Sequence, residues 1–145
     1  MKVKLHGTRG SYPISSDSGK VFGGNTPCIE IMGGSRRLIL DAGTGILGID
    51  FEAGQPSDRI DIFLTHLHMD HIQGLAFCKP LFNPNNEIHI WGPRDSTESL
   101  QFRLNQYLSP PLFPIPLRDI PSKLHVHELT NSTIELGDFV IKAEY

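Results

Sequence analysis

The chain has 145 residues, of which 39% are hydrophobic and 20% are charged, and its formal net charge is −3. This length and composition are typical of one folded soluble domain and exclude a disordered chain. The slight acidic excess gives no strong signal for binding long nucleic acid, and no apolar run reaches the roughly eighteen residues of a membrane span. The first residues are too polar for a secretory signal, so a cytoplasmic location is expected.

The first half of the chain alternates short apolar strands with glycine-rich turns. Strands are predicted over residues 2–6, 28–32, 37–41 and 60–64 from their alternating or continuous apolar patterns. A hairpin turn is predicted at 33–36, and a short helix at 46–50. Cys28 and Cys78 lack a CxxC spacing, and we expect both to be free, buried thiols.

The second half combines two helices with further strands. A helix is predicted over 71–82, limited by Pro80, and a second over 96–108, with Asp95 or Ser96 as its N-cap. Strands are predicted at 87–91, 123–129 and 139–144, the last two joined through the Gly-Asp pair at 137–138. This order predicts the α/β class, an α+β sandwich in which helices flank a mixed β-sheet.

The densest group of potential metal ligands lies in residues 65–74, which read THLHMDHIQG. His66 and His68 are two residues apart on an extended segment, so both imidazoles can project to one side and bind one ion. Asp70 and His71 follow a bend and suit a second ion nearby. An apolar strand precedes the group and an apolar stretch follows it. That context favours a metal site over a histidine-rich surface loop.

Two other features have both a functional and an ordinary interpretation. Asp41 ends a strand before a glycine-rich turn, where it could hold the tautomer of a metal-bound histidine or simply close the turn. The turns at 7–11 and 23–26 could bind anions through backbone N–H groups or merely connect strands. The residues alone leave these alternatives open.

Three more histidines lie in predicted strands. His125 and His127 could complete a metal site, but a position on the solvent face of a strand, opposite Leu124 and Val126, is favoured. His89, between two isoleucines, is likewise expected to point outward.

Four segments together resemble the metallo-β-lactamase superfamily, in a branch similar to ribonuclease Z and cyclic phosphodiesterases. They are His66-x-His68-x-Asp70-His71, GTRGS at 7–11, GGNTPC at 23–28 and LILDAGTG at 38–45. The resemblance implies a metal-dependent hydrolase with two zinc ions, manganese or iron being acceptable substitutes. It implies the metal ligands His66, His68, Asp70 and His71, a catalytic role for Asp70, and a supporting role for Asp41. Substrate-loop candidates are Ser11, Asn25 and Thr26.

The superfamily fold has two similar βα halves, and the second half supplies the remaining ligands. Residues 1–145 are therefore expected to form a metallo-β-lactamase-like domain that lacks its C-terminal half. The expected function is hydrolysis of a small phosphodiester, because an acidic protein without a basic surface suits a small substrate better than it suits a long RNA. The alternatives are a non-catalytic metal-binding or assembly half-domain, and a truncated, inactive fragment. A half-sandwich could pair with a second copy or with a complementary half.

Overall fold

The computed structural model describes residues 1–15, 19, 21–34, 36–52 and 59–144. Within these ranges lie the strands β1 (Lys2–Gly7), β2 (Cys28–Gly33), β3 (Arg36–Leu40), β4 (Arg59–Phe63), β5 (Glu87–Pro93), β6 (Lys123–Leu129), β7 (Ser132–Leu136) and β8 (Phe139–Ala143). The α-helices are α1 (Met69–Ile72) and α2 (Leu100–Tyr107), and 3-10 turns cover Thr44–Gly48, Leu75–Phe77, Lys79–Phe82 and Leu117–Asp119. No helix in the described ranges is long and apolar enough to cross a bilayer.

Strands β1 to β6 form one mixed sheet in sequence order. The first three strands pair antiparallel, and β3 to β6 pair parallel. Strands β7 and β8 form a separate antiparallel hairpin. The mixed sheet with flanking helices confirms the predicted α/β class. Because β3 to β6 are parallel, their carboxyl ends all lie along one edge of the sheet.

The sheet buries apolar side chains on two faces. On the helical face, Ile39, Ile62 and Ile90 pack against the helices, and Leu124 and Val126 join this core as predicted. Helix α2 and the residue after it contribute leucines spaced four residues apart, Leu100, Leu104 and Leu108, all fully buried. The opposite face, here called the hairpin face, carries Leu38, Phe63 and Leu129, which pack against Leu136 of the β7–β8 hairpin.

The structure corrects the predicted helix at 71–82. Helix α1 ends at Ile72 and is followed by two 3-10 turns. The N–H of Gly74 donates to the carbonyl of Ala42 at 2.8 Å, which draws the chain away from a continuing helix. A Cβ on Gly74 would collide with the backbone of Gly43, so only glycine permits this approach. Pro80, which has no N–H, then sits at the start of the last turn.

Two further elements differ from the sequence predictions. Helix α2 begins at Leu100, and its N-cap is Ser99, whose hydroxyl accepts from the N–H of Phe102 at 3.1 Å. Asp95 caps the preceding turn instead, accepting from the N–H of Thr97 at 2.8 Å. Strand β7 was not predicted. The turn predicted at 33–36 joins β2 to β3 with Gly34 at φ +54°, while Ser35 lies outside the described residues.

Both cysteines are free and buried, as predicted. Burial raises the pKa of the Cys28 thiol to about 12, and Cys78 and Asp41 nearby add to the effect. Burial likewise raises the pKa of Cys78 to about 12. Both thiols therefore stay protonated at neutral pH and act as small apolar side chains of the core.

Candidate metal centre

The histidine-rich motif lies at the carboxyl-terminal edge of the parallel strands. Strand β4 ends at Phe63, and the N–H of Leu64 donates to the carbonyl of Trp91 at 2.7 Å. The chain then runs through the motif into α1, whose N-cap residue is His68. The carbonyl of His71 accepts from the N–H of Ala42 at 2.7 Å, which ties α1 to the turn after β3. The potential ligands are thus held between two strand ends.

The three motif histidines form a compact group of rings. The ring centroid of His66 lies 4.4 Å from that of His68 and 4.1 Å from that of His71. Partial desolvation lowers the pKa of His66, and the neighbouring rings of His71 and His68 lower it further. His66 is therefore a neutral imidazole at physiological pH, which is the form that binds a metal ion.

Asp41, His71 and Asp70 form a chain of contacts that suits a metal ion. The Nδ1 atom of His71 lies 2.8 Å from Oδ2 of Asp41, which leaves Nε2 to face a ligand. That Nε2 atom lies 3.5 Å from Oδ2 of Asp70. Two ligand atoms bound to one tetrahedral zinc at about 2.0–2.1 Å would be about 3.3 Å apart. The observed spacing therefore fits one ion between His71 and Asp70.

Asp41 is buried behind the motif and adopts a left-handed backbone conformation with φ +59°. Its Oδ1 accepts from the backbone N–H of Thr65 at 2.8 Å and from the Thr65 hydroxyl at 3.0 Å. Aspartate tolerates this conformation better than most residues. The carboxylate thus joins the end of β3 to the start of the motif and keeps its second oxygen directed at His71.

The turn at 7–11 reaches the motif through Ser11, which has φ +74°. The Ser11 N–H donates to Oδ2 of Asp70 at 2.8 Å. This hydrogen bond is the largest cause that lowers the pKa of Asp70, and the histidines His71 and His68 add smaller effects. Asp70 is therefore an anionic side chain at the surface of the motif.

The other two substrate-loop candidates differ in accessibility. Asn25 is exposed, and its Oδ1 accepts from the Thr44 hydroxyl at 3.2 Å. Thr26 is fully buried, and its hydroxyl oxygen accepts from the N–H of Thr44 at 2.8 Å and from the Gln73 amide at 3.0 Å. Thr26 stabilises the turn from inside, and its buried side chain cannot contact a substrate.

The remaining histidines lie elsewhere. His125 and His127 are on β6, two strands from β4, on the face opposite Leu124 and Val126. The expectation that His89 points outward is wrong, because it is only 7% exposed and bonds Glu87 and His127. Sequence reasoning missed Glu87, since its proximity to His125 depends on the pairing of β5 with β6.

A mixed α/β sheet presents His-x-His-x-Asp-His at a strand end, with the buried Asp41 carboxylate behind it, and these side chains have the chemistry of metal ligands. A family model described as "Beta-lactamase superfamily domain" matches residues 36–143. The chain belongs to this superfamily, the metallo-β-lactamase superfamily, as its motifs predicted.

Relatives agree with this assignment, and solved structures share the fold. The chain is 31% identical over 121 residues to ribonuclease Z from Thermococcus kodakarensis, an alignment that covers 81% of this chain and 36% of that protein. The structure of human tRNase Z, short form, matches with a TM-score of 0.57 at 23% identity, over 88% of this chain and 45% of that one. A diphosphatase from the PhnP family matches with a TM-score of 0.57 at 19% identity, over 92% of this chain and 53% of that one. The chain thus spans about a third to a half of the length of these proteins.

Proposed function

We propose that His66, His68, Asp70 and His71 bind the two metal ions of a centre that hydrolyses phosphodiesters, with zinc as the resident metal. The observation that carries this proposal is the contact chain from Asp41 through His71 to Asp70, at 2.8 Å and 3.5 Å. It combines an oriented imidazole with an anionic oxygen at the spacing of two ligands on one ion. A donor set rich in imidazole favours zinc, and the carboxylate also accepts manganese or iron.

Each side chain in the proposed centre has a separate role. Asp41 holds the proton of His71 on Nδ1, so that Nε2 presents a lone pair. Asp70 is anionic and reaches the surface, and it orients the attacking water by accepting its proton in a hydrogen bond. Zinc, when bound, supplies Lewis-acid polarisation of the phosphoryl oxygen and lowers the pKa of water. Ser11, whose N–H donates to Asp70, and the exposed Asn25 are the residues that we propose contact the substrate.

The described residues supply two protein ligands for each ion, whereas a hydrolytic zinc is held by about three. Within the described ranges, the group of three ligand atoms within 4.8 Å of one another is Glu87, His89 and His125, which does not include the motif. We therefore propose that residues 1–145 form one half of the catalytic domain. The third ligand of each ion would come from a complementary half or a second copy of the chain.

RNA is the substrate class that we propose. The acidic composition favoured a small phosphodiester, but the relatives that match most of this chain are named ribonuclease Z. Both substrates present the same bond to the centre. A direct comparison of cleavage rates on an RNA oligonucleotide and on bis-p-nitrophenyl phosphate decides between them.

The test measures zinc content and hydrolysis together. We expect the purified chain to bind zinc, and the His66→Ala/His68→Ala and Asp70→Asn variants to lose ions and any zinc-dependent cleavage of RNA. Asp95→Asn is the matched control, because the Asp95 carboxylate likewise accepts a backbone N–H but lies outside the motif. Zinc content that is unchanged in the motif variants would contradict the metal site. A zinc-loaded chain that cleaves neither substrate, alone or mixed with a complementary half, would contradict the hydrolase.

A second function, as a non-catalytic assembly module, is favoured by the edge of the sheet. On β1, the edge strand, Val3 is 53% exposed and Leu5 is 61% exposed. Exposed apolar residues on an open edge favour pairing with another sheet. This function predicts a species of twice the 16.2 kDa chain mass in light scattering, which Leu5→Lys abolishes. A monomer at all concentrations would exclude it.

A further inference from the structure

We propose that Glu87, His89 and His125 form a second zinc site, on the hairpin face of the sheet and separate from the histidine-rich motif. Two imidazoles and one carboxylate are a ligand set that zinc accepts in proteins. The ligand atoms of these three side chains all lie within 4.8 Å of one another.

The pairing of two parallel strands brings the three ligands together. Glu87 and His89 are two residues apart on β5 and therefore share a face. His125 on β6 is the register partner of His89, so its side chain projects to the same face. The Nε2 atom of His89 lies 2.7 Å from Oε1 of Glu87, and the Nε2 atom of His125 lies 3.6 Å from the same oxygen. Ligands of a tetrahedral zinc are about 3.3 Å apart, so small side-chain rotations suffice to admit the ion.

His89 is already oriented as a metal-bound histidine would be. Its side chain is only 9% exposed, and its Nδ1 lies 2.8 Å from Nε2 of His127. The His127 ring stacks on Trp91 with centroids 3.9 Å apart, which fixes the position of the partner atom. Zinc on Nε2 of His89 places the proton on Nδ1, where it donates to His127. A second histidine thus holds the ligand in the way that outer hydrogen bonds hold ligands in zinc sites.

The electrostatic surroundings allow a cation at this place. The nearest basic side chain on β4, Arg59, is held by Asp61 through two hydrogen bonds of 2.8 Å and 3.0 Å, so its charge is compensated. Two neutral imidazoles and one carboxylate leave a zinc ion with a net charge of about +1, which solvent can stabilise. The side chains of Glu87 and His125 are 42% and 47% exposed, so the fourth ligand position faces water.

This cluster and the motif cannot share one ion. His89 is the register partner of Asp61 in the middle of β4, whereas the motif begins after Leu64. Three residues of strand separate these levels by about 10 Å, which is several times a zinc–ligand bond length. The cluster also lies on the hairpin face, well inside the sheet edge that carries the motif. Any zinc bound here is therefore additional to the ions of the proposed centre.

The experiment counts zinc in variants that remove one site at a time. In a His66→Ala/His68→Ala/Asp70→Asn chain, we expect one zinc to remain, measured by elemental analysis and competition with a chromophoric chelator. Adding His125→Ala or Glu87→Gln to that chain should lower its affinity for the remaining zinc by more than about 100-fold. Lys123→Ala is the control, because Lys123 is exposed and is the register partner of Glu87 without being a ligand.

Two further measurements keep the result interpretable. His125 is exposed, so His125→Ala should unfold in urea at the same concentration as the zinc-free wild type. In ¹⁵N spectra of histidine side chains, zinc should shift Nε2 of His89 while its Nδ1 stays protonated. A motif variant that retains no zinc, or zinc whose affinity is unchanged by both His125→Ala and Glu87→Gln, overturns the site. Neither result depends on hydrolysis, so loss of the second zinc site would leave the proposed hydrolase function unaffected.

Discussion

Replacing Asp41 by asparagine tests the tautomer argument directly. In the native chain, one Asp41 oxygen accepts from Thr65 and the other lies 2.8 Å from Nδ1 of His71. An amide side chain has only one acceptor oxygen, so the substitution Asp41→Asn places an N–H group against one of these partners. If the amide keeps its oxygen on Thr65, its N–H faces His71. The metal-free imidazole can then move its proton to Nε2 and accept from the amide.

The two states of the protein should therefore respond differently. Without metal, Asp41→Asn exchanges charge-assisted hydrogen bonds for neutral ones, at a cost of about 1–2 kcal/mol in the free energy of unfolding. With metal, Nε2 of His71 must give up its proton, and Nδ1–H then opposes the amide N–H. An unsatisfied buried donor costs about 1–3 kcal/mol, which corresponds to roughly a 10- to 100-fold loss of zinc affinity.

The assay is zinc competition with a chromophoric chelator, together with urea unfolding in the presence of a strong chelator. Both are done with His125→Ala present, so that the cluster around Glu87 contributes no zinc. Asp95→Asn serves as the control, and Asp41→Ala should cost about 2–3 kcal/mol of stability because it leaves the Thr65 N–H without its acceptor. Wild-type zinc affinity in Asp41→Asn would refute the reasoning, since the carboxylate would then have no part in orienting His71.

Three other predictions concern the packing beneath the motif and the two buried cysteines. Gly43→Ala should lower the free energy of unfolding by about 2–4 kcal/mol in urea titrations, because the added Cβ would collide with the backbone carbonyls of Asp70 and Pro27. Gly10→Ala is the control and should have little effect, because a Cβ there meets nothing within 4 Å. The thiols of the two cysteines should react with a disulfide reagent only as fast as the chain unfolds, since burial raises the pKa of each to about 12. The raised pKa values also predict how stability depends on pH. Thiols of the unfolded chain ionise above about pH 9, whereas those of the folded chain stay protonated up to about pH 12. The free energy of unfolding is therefore unaffected below about pH 9 and should fall between about pH 9 and 12, by up to about 1.4 kcal/mol per pH unit for each thiol. Rapid labelling of the folded chain, or a flat alkaline stability profile, would show that these cysteines are accessible.

Much of the fold was predictable because the signals are local. Strand alternation and the apolar runs before the motif located most strands of the sheet to within a residue or two. The helix at 71–82 was wrong for a tertiary reason: Gly74 packs against the backbone of Ala42, and that contact outweighs helix propensity. Strand β7 was missed because its five residues contain only two apolar side chains, and it pairs only with β8.

The sequence by itself determined the superfamily, and it predicted His66, His68, Asp70 and His71 as metal ligands because these four residues lie within six positions of one another. It also placed Asp41 at a strand end, though with two interpretations. Only the tertiary structure decided that Asp41 contacts His71, that Thr26 is buried, and that the cluster of Glu87, His89 and His125 exists. These contacts join residues tens of positions apart through strand register, and register is set by the packing of the whole sheet.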